Sequence, residues 1–404
     1  MKITLLKDNR DYVLLWSAAA ISNLGSRLSV IAFPLLVLSL GGTAAQAGAV
    51  GSCSLIAGLA LRLPGGHIAD LVDRRRLMLG ADLVRLLALG SIPAAGALHR
   101  LGYPQLLVAA VVEGATSVLF GPAAGIALRD VVPKDRLTEA FAMSQARNAA
   151  IDLIGPALGG LLFGVDRFLP FTVDAATYGV SAVLLLGIRR PGARDRSTRG
   201  ESGLAAGLVW LWRRPEVMRI LLFASAVNLT GAAAELVVVV SLRGHGASGS
   251  TIGLVMACAG GGAVVGSVLA LRIIAALPSA LLFVVSGATW ALGFLVFAVS
   301  GSPWVIGAFL VAMLMLAPAG GIRLGQVTYG QAPADILGRV STAEQLATAG
   351  LASVGPLLAG VAVQSIGASS TWVVMAAICT AAAAIAAAPV RRSRRAETLV
   401  ETGT

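Results

Sequence analysis

A helix needs roughly 20 consecutive apolar residues to cross the hydrocarbon core of a bilayer. This chain of 404 residues supplies that length twelve times, over 12–40, 44–66, 76–98, 103–129, 138–163, 167–188, 216–242, 249–271, 277–299, 303–330, 338–365 and 368–389. No other feature restricts the fold as strongly, because a segment in hydrocarbon must satisfy its own backbone hydrogen bonds, and a helix does so. Charge agrees. Only 13% of residues are charged, where a soluble domain carries about 25%, and the mean hydropathy is +0.84. The expected class is an all-α membrane protein of twelve transmembrane helices. A secreted disulfide scaffold, a disordered chain and an ordinary soluble enzyme are excluded. Cys53, Cys258 and Cys379 lie in apolar runs without metal-ligand or CxxC spacing and read as small buried hydrophobes. Met1 to Asp11 is short and polar, and the run after it is too long for a signal h-region, so no cleavable leader is expected.

Connections between the runs are short except for 189–215, which is polar and arginine-rich. Within it, Leu204 to Trp212 reads as an amphipathic turn at the membrane surface. The chain thus divides into a cytoplasmic N-terminus (1–11), a six-helix bundle (12–188), a basic cytoplasmic linker (189–215), a second six-helix bundle (216–389) and a cytoplasmic tail (390–404). The formal charge of +11 would suit a nucleic-acid partner if it lay on one soluble face. It does not. With the N-terminus cytoplasmic, twenty-three of the 31 Lys and Arg residues fall on the cytoplasmic side, and only Arg100, Arg167 and Arg243 on the other. That asymmetry is the positive-inside pattern. The charge is expected to meet anionic lipid heads, and no nucleic acid is expected.

The chain repeats itself at a shift of 200 residues. Gly121, Gly125, Pro133, Asp135 and Leu137 recur as Gly321, Gly325, Pro333, Asp335 and Leu337. Gln145, Ala149, Gly155, Pro156, Leu158 and Gly160 recur as Gln345, Ala349, Gly355, Pro356, Leu358 and Gly360. The fourth and fifth spans therefore correspond to the tenth and eleventh, in a parallel duplication of a six-helix unit. Such duplications place a substrate site near the midplane, between the halves.

The loop after the second span reads Gly65-Gly66-His67-Ile68-Ala69-Asp70-Leu71-Val72-Asp73-Arg74-Arg75-Arg76. It resembles the signature loop of the major facilitator superfamily, G-x-L-A-D-R-x-G-R-R. Gly66, Ala69, Asp70, Arg74 and Arg75 match, while Leu71 and Asp73 replace the usual arginine and glycine. Asn23-Leu24-Gly25-Ser26-Arg27, Phe120-Gly121-Pro122-Ala123, Val132 to Leu137 and Gly155-Pro156-Ala157-Leu158-Gly159-Gly160 are similar to one branch, the drug–proton antiporters related to macrolide-efflux proteins and the enterobactin exporter. The resemblance implies export of a small amphipathic or hydrophobic compound, such as a drug, antibiotic or siderophore, driven by proton entry. It also implies a conformational latch on the cytoplasmic side. In that latch Asp70 faces the start of the eleventh span, and Arg74 and Arg75 bridge to carboxylates such as Asp73 or Asp82. In the fifth span, Pro156 bends the helix, and Gly155, Gly159 and Gly160 allow close packing in an antiporter-like motif.

Ionisable residues inside spans are expensive and mark function. In the resembled fold the first, fourth, seventh and tenth spans line the cavity, and here they carry Arg27, Glu113, Glu235 and Arg323. Arg27 and Glu113 are expected to pair, with Glu113 as proton carrier, because burial and a nearby guanidinium act in opposite directions on a carboxyl's hold on its proton. Asp152, Asp174, Asn23 and Asn228 are further candidates for proton or substrate contact. Asp82 and Arg85, one turn apart, are expected to form a local pair supporting the latch. The tryptophans, Trp290 and Trp372 among them, read mostly as interface anchors. No phosphate loop, metal spacing or catalytic constellation is present, so neither enzyme activity, a metal nor a cofactor is expected; a proton gradient supplies the drive. The expected protein is a monomeric secondary transporter in a bacterial cytoplasmic membrane. A metabolite uptake symporter, or a non-transporting scaffold or sensor of the same fold, are the alternatives.

Overall fold

The computed structural model describes residues 9–188, 204–333 and 336–388, with the side chains at 63, 66, 67, 69–71, 122, 134, 204 and 205 outside the described set. Twelve helices are long and apolar enough to cross a membrane. They are α1 (Arg10–Ser39), α2 (Ala44–Leu71), α3 (Arg74–Ala97), α4 (Tyr103–Val131), α5 (Leu137–Val165), α6 (Leu169–Leu186), α7 (Pro215–Gly244), α8 (Gly249–Ala276), α9 (Ser279–Val299), α10 (Pro303–Gln331), α11 (Leu337–Ile366) and α12 (Ala368–Ala387). The stretch expected to be an amphipathic turn is a linker helix, Leu204–Trp212. Its Leu211 is buried against α7 and α11 beside Val217 and Val340, while Trp212 is exposed. The remainder of the basic linker up to 203 lies outside the described residues.

Local chemistry sets the helix ends. Asn9 accepts from the Tyr12 amide at 3.0 Å, and Thr43 and Gln46 form a reciprocal capping box, each relieving amides that the first turn leaves unpaired. Gly41 and Gly246 follow the first helix of each half at φ +82° and +80°, a left-handed backbone that glycine adopts without strain.

The packing repeats with the sequence. In the first half α1 lies on α5 and α6, α2 on α4, and α3 on α4 and α6; in the second α7 lies on α11 and α12, α8 on α10, and α9 on α10 and α12. Across the halves, α2 meets α11 and α8 meets α5. These two contacts are equivalent under the duplication.

Because the helices alternate in direction, one face of the bundle carries residues 40–43, 98–102, 166–168, 245–248 and 300–302. The other carries the linker helix and the starts of α1 and α7. We call these the loop face and the terminal face. At the loop face a single buried apolar cluster crosses between the halves, joining Leu35 and Val50 to Leu236, Val239 and Ile252. At the terminal face the buried clusters are separate, one in the first half around Tyr12 and Met78 and others in the second around Phe283 and Val217. Among the described residues, the halves are therefore joined by buried apolar contact at the loop face, while the terminal-face clusters stay within each half.

Trp290 and Trp372 correct an expectation. They are 4% and 1% exposed and stack with Phe294 and Phe297 inside the second half. Indole packs well in a helical core when its ring finds aromatic edges. Trp304 and Trp212, at 65% and 80% exposed, keep the outer position.

Candidate functional site in the cavity between the halves

A cavity of about 480 Å³ lies between the halves, a volume that suits a drug-sized ligand, and its wall is drawn from both. Helical phase explains which residues of α1 reach it. Asn23, Arg27, Val30 and Pro34 recur at i, i+4, i+7 and i+11 and line the cavity. Ser22 and Gly25 occupy the neighbouring face, turned toward α3 and α6, and Ser26 and Ser29 reach α6 from the edge of the cavity. A Cβ on Gly25 would collide with Asp174 and Thr177, so glycine there lets α6 approach.

Behind the wall is a polar cluster with little access to solvent. Asp82, Arg85, Glu113 and Asp174 are 0%, 2%, 8% and 0% exposed. Arg85 is its hub. Its Nε donates to Thr116 Oγ1 at 2.8 Å and lies 3.7 Å from Glu113 Oε2; its Nη1 lies 3.8 Å from Asp82 Oδ1. Its guanidinium also sits over the Tyr178 ring, 5.2 Å from the centroid. The Tyr178 hydroxyl donates to Glu113, 3.0 Å from each carboxylate oxygen, and lies 2.9 Å from Ser26 Oγ. Ser22 donates to Asp82 at 3.1 Å, and Ser29 donates to Asp174. Asp82 Oδ2 and Asp174 Oδ1 are buried with no hydrogen-bond partner among the described residues. Three carboxyl groups thus share one guanidinium in a pocket that lowers the penalty for neither excess charge. Glu113 and Arg85 are where this cluster meets the cavity.

The expected Arg27–Glu113 pair is not formed. Arg27 Nε instead meets Asp152 Oδ1 of α5 at 2.8 Å, both side chains half-exposed to the cavity. Arg27 is on the cavity face of α1, whereas Glu113 reaches behind that face, so rotation about the α1 axis separates them. Asp82 and Arg85 are adjacent, as spacing required, but they lie in the middle of the bundle. Eight and eleven residues into α3 is about 12 and 16 Å from its start, too deep for a surface latch.

The loop arginines also take other partners. Arg74 pairs with Asp130 at the end of α4, and Arg75 donates to the Leu185 carbonyl at 2.8 Å and to that of Leu186. Asp73 caps α3 by accepting from the Arg76 amide at 2.9 Å. These contacts tie α3 to α4 and α6 within one half, because a guanidinium at a helix start finds the unpaired carbonyls and acids of its neighbours' ends first. Gly66 and Asp70 fall on α2, but their side-chain surroundings lie outside the described residues.

In α5, Gly155 and Gly159 pack on α1, where added Cβ atoms would come within 2.5 Å of Arg27 Cβ and 2.6 Å of the Leu28 carbonyl oxygen. Gly160 instead faces α8 across the halves, against Gly249 and Gly253, and the Pro156 carbonyl approaches Gly253. The duplicated residues do the same on the other side: Gly360 faces Ala44, and the Pro356 carbonyl faces Gly48 of α2. Small residues on one helix and a proline carbonyl on the other build both halves of the loop-face seam.

Glu235 of α7 and Asn23 line the cavity. Asn228 and Arg323 are not among its lining residues. Asn228 donates to the Ala224 carbonyl one turn back at 2.8 Å. Arg323 donates to the carbonyls of Ile274 and Leu277 at 3.1 and 3.4 Å, closing the end of α8. Arg85 and Tyr178 are members of the cluster that sequence reasoning left out of the site. The signal for Tyr178 was available: Asp174, Tyr178 and Ser181 follow at i, i+4 and i+7 on an apolar helix, a polar stripe that must face protein.

Comparison with known proteins agrees with this architecture. The model of the Major Facilitator Superfamily matches residues 15–343. Over 218 residues the chain is 29% identical to the multidrug efflux pump Tap of Mycobacterium tuberculosis, a match covering 51% of this chain and 51% of Tap. It is 25% identical over 133 residues to macrolide efflux protein A of Enterococcus faecalis, covering 32% of this chain and 41% of that one. The match to Tap spans about half the length of that relative. The crystal structure of the nucleoside transporter NupG superposes with a TM-score of 0.74 at 14% identity, over 95% of this chain and 98% of that one, a likeness of fold. Twelve helices in two equivalent sets of six, and a family match across most of the sequence, lead to one statement: the chain belongs to the Major Facilitator Superfamily.

Proposed function

We propose that the protein is a proton-coupled exporter of a small amphipathic or hydrophobic compound, acting by alternating access in a bacterial cytoplasmic membrane with both termini cytoplasmic. The observation that carries this reading is the buried cluster of Asp82, Glu113 and Asp174 around Arg85, which meets the cavity at Glu113 and Arg85. A proton bound there removes one of the excess charges. Loss of that proton would leave Glu113 held by the Arg85 guanidinium and the Tyr178 hydroxyl beside it. Coupling follows if substrate and proton occupy the cavity in alternation.

With the basic terminal face cytoplasmic, the sealed loop face makes this the inward-open state. Substrate enters from the cytoplasm or inner leaflet while Glu113 gives up its proton. Parting of the seam around Gly160 and Gly360 then opens the cavity outward, and protonation of Glu113 frees Arg85 and resets the cycle. Export relatives such as Tap support the direction, and the transporter reading replaces any enzymatic one.

The test is flux in everted membrane vesicles with an acidic lumen. Expected results are accumulation of a drug-like substrate in the lumen, alkalinisation of the lumen as it enters, and collapse of both with a protonophore. Flux in the opposite direction would identify an uptake symporter, and no flux with any imposed gradient would favour a scaffold. Glu113→Gln should reduce proton-driven flux to background while binding of the same compound, measured by fluorescence on the purified protein, persists. A Glu113→Gln protein that pumps normally rejects Glu113 as the carrier.

A further inference from the structure

The carboxylates on the cavity wall outnumber its guanidinium groups, and one of them stands outside every ion pair among the described residues. Among the described residues, five ionisable side chains line the cavity: Arg27, Arg85, Glu113, Asp152 and Glu235. Four take part in ion pairs, Arg27 with Asp152 at 2.8 Å and Arg85, which Asp82 shares, with Glu113 at 3.7 Å. Glu235 is exposed to the cavity from α7, on the opposite half. Among the described residues it has no hydrogen bond or ion pair. Arg27, which lines the same cavity from α1, is engaged by Asp152. A carboxylate facing a largely apolar cavity of about 480 Å³ lacks the countercharge that such a site requires.

The wall also says what kind of cation fits. Quaternary and delocalised cations are held by aromatic faces, and among the described residues Phe33 is the one aromatic ring lining this cavity. Its polar groups are amides and hydroxyls instead, among them Asn23, Ser54, Ser117 and Asn148. These recognise N–H and O–H groups. We infer that Glu235 anchors a protonated amine: the transported compound is an amphiphile with an ammonium N–H that donates to the Glu235 carboxylate, its apolar body lying along Val30, Phe33, Val239 and Met256. This rests on the transport reading above and names the substrate class for that same cavity.

Three coumarin-labelled probes of one skeleton test it, ending in dimethylammonium, trimethylammonium or a neutral isopropyl group. Binding is read by fluorescence on the full-length protein in nanodiscs. The dimethylammonium probe should bind about tenfold more tightly than either analogue, the value of one charge-assisted hydrogen bond. Glu235→Gln should remove that advantage while leaving the neutral probe within about twofold, which also reports a folded cavity. Equal losses for the dimethylammonium and trimethylammonium probes would overturn the N–H assignment, and unchanged amine binding in Glu235→Gln would overturn the anchor altogether. Vesicle flux separates the two readings. Proton-driven export of the amine with Glu235→Gln indifferent rejects the anchor and keeps the exporter. Selective, Glu235-dependent binding with no proton-driven flux of any probe keeps the anchor and rejects the exporter.

Discussion

Replacing Arg85 by methionine should destabilise the protein by about 3–5 kcal/mol, the cost of leaving the partners of a buried ion pair without their countercharge. Methionine fills a similar volume, so packing is largely kept and the loss is electrostatic. Asp82 and Glu113, 0% and 8% exposed, are too buried for water to replace the guanidinium fully, and Thr116 and Ser22 lose a donor as well. Thermal unfolding of detergent-solubilised protein, followed by intrinsic fluorescence, would report the change as a lowered transition. The companion triple variant Arg85→Met, Asp82→Asn, Glu113→Gln should recover most of the loss, because neutral groups of the same shape remove the unpaired charges rather than strand them. Wild-type stability in Arg85→Met alone would show that the cluster is not the buried charge network its geometry describes.

Gly160→Val should shift the molecule away from the loop-face-sealed state. Any Cβ at this position meets the Gly249 carbonyl oxygen and the Gly253 backbone of α8, and backbone cannot step aside as a side-chain tip can. Overpacking of this kind costs about 1–3 kcal/mol. That penalty is confined to the sealed state, so it changes the ratio of the two states roughly 5- to 150-fold. Spin labels at Arg100→Cys and Arg243→Cys, both exposed on the loop face in opposite halves, in a background lacking the three native cysteines, should show the distance distribution moving to longer values. Gly155→Ala is the control. It crowds Arg27 within the first half and should leave the label distance where it was. An unchanged distribution in Gly160→Val would mean that the seam does not open by parting α5 from α8.

Much of the architecture was legible before any coordinates. Length and apolarity define each span, and the shift of 200 residues from Gly155-Pro156 to Gly355-Pro356 announced the duplication that the packing of α5 on α8 and α2 on α11 then repeats. The site was legible only in its ingredients. Arg27, Glu113, Asp152, Asp174 and Glu235 stood out because charge inside a span is costly. Their partners did not stand out. Arg27 and Glu113 sit at comparable depths, and depth alone made them a plausible pair. Arg85 was placed with the loop because Asp82 lies one turn away, although its own depth along α3 pointed to the midplane.

The division has a physical cause. Whether a segment enters hydrocarbon depends on its own composition and backbone hydrogen bonding, which are local properties, so the sequence by itself determined the twelve helices, their grouping into two equivalent halves and the placement of basic residues at their ends. Which charges meet depends on the rotation of each helix about its axis and on how closely its neighbours approach, and those are settled by contacts between residues far apart in the chain. Only the tertiary structure decided that Arg27 turns to Asp152, that Arg85 gathers Asp82 and Glu113, and that Glu235 faces the cavity without an ion-pair partner among the described residues.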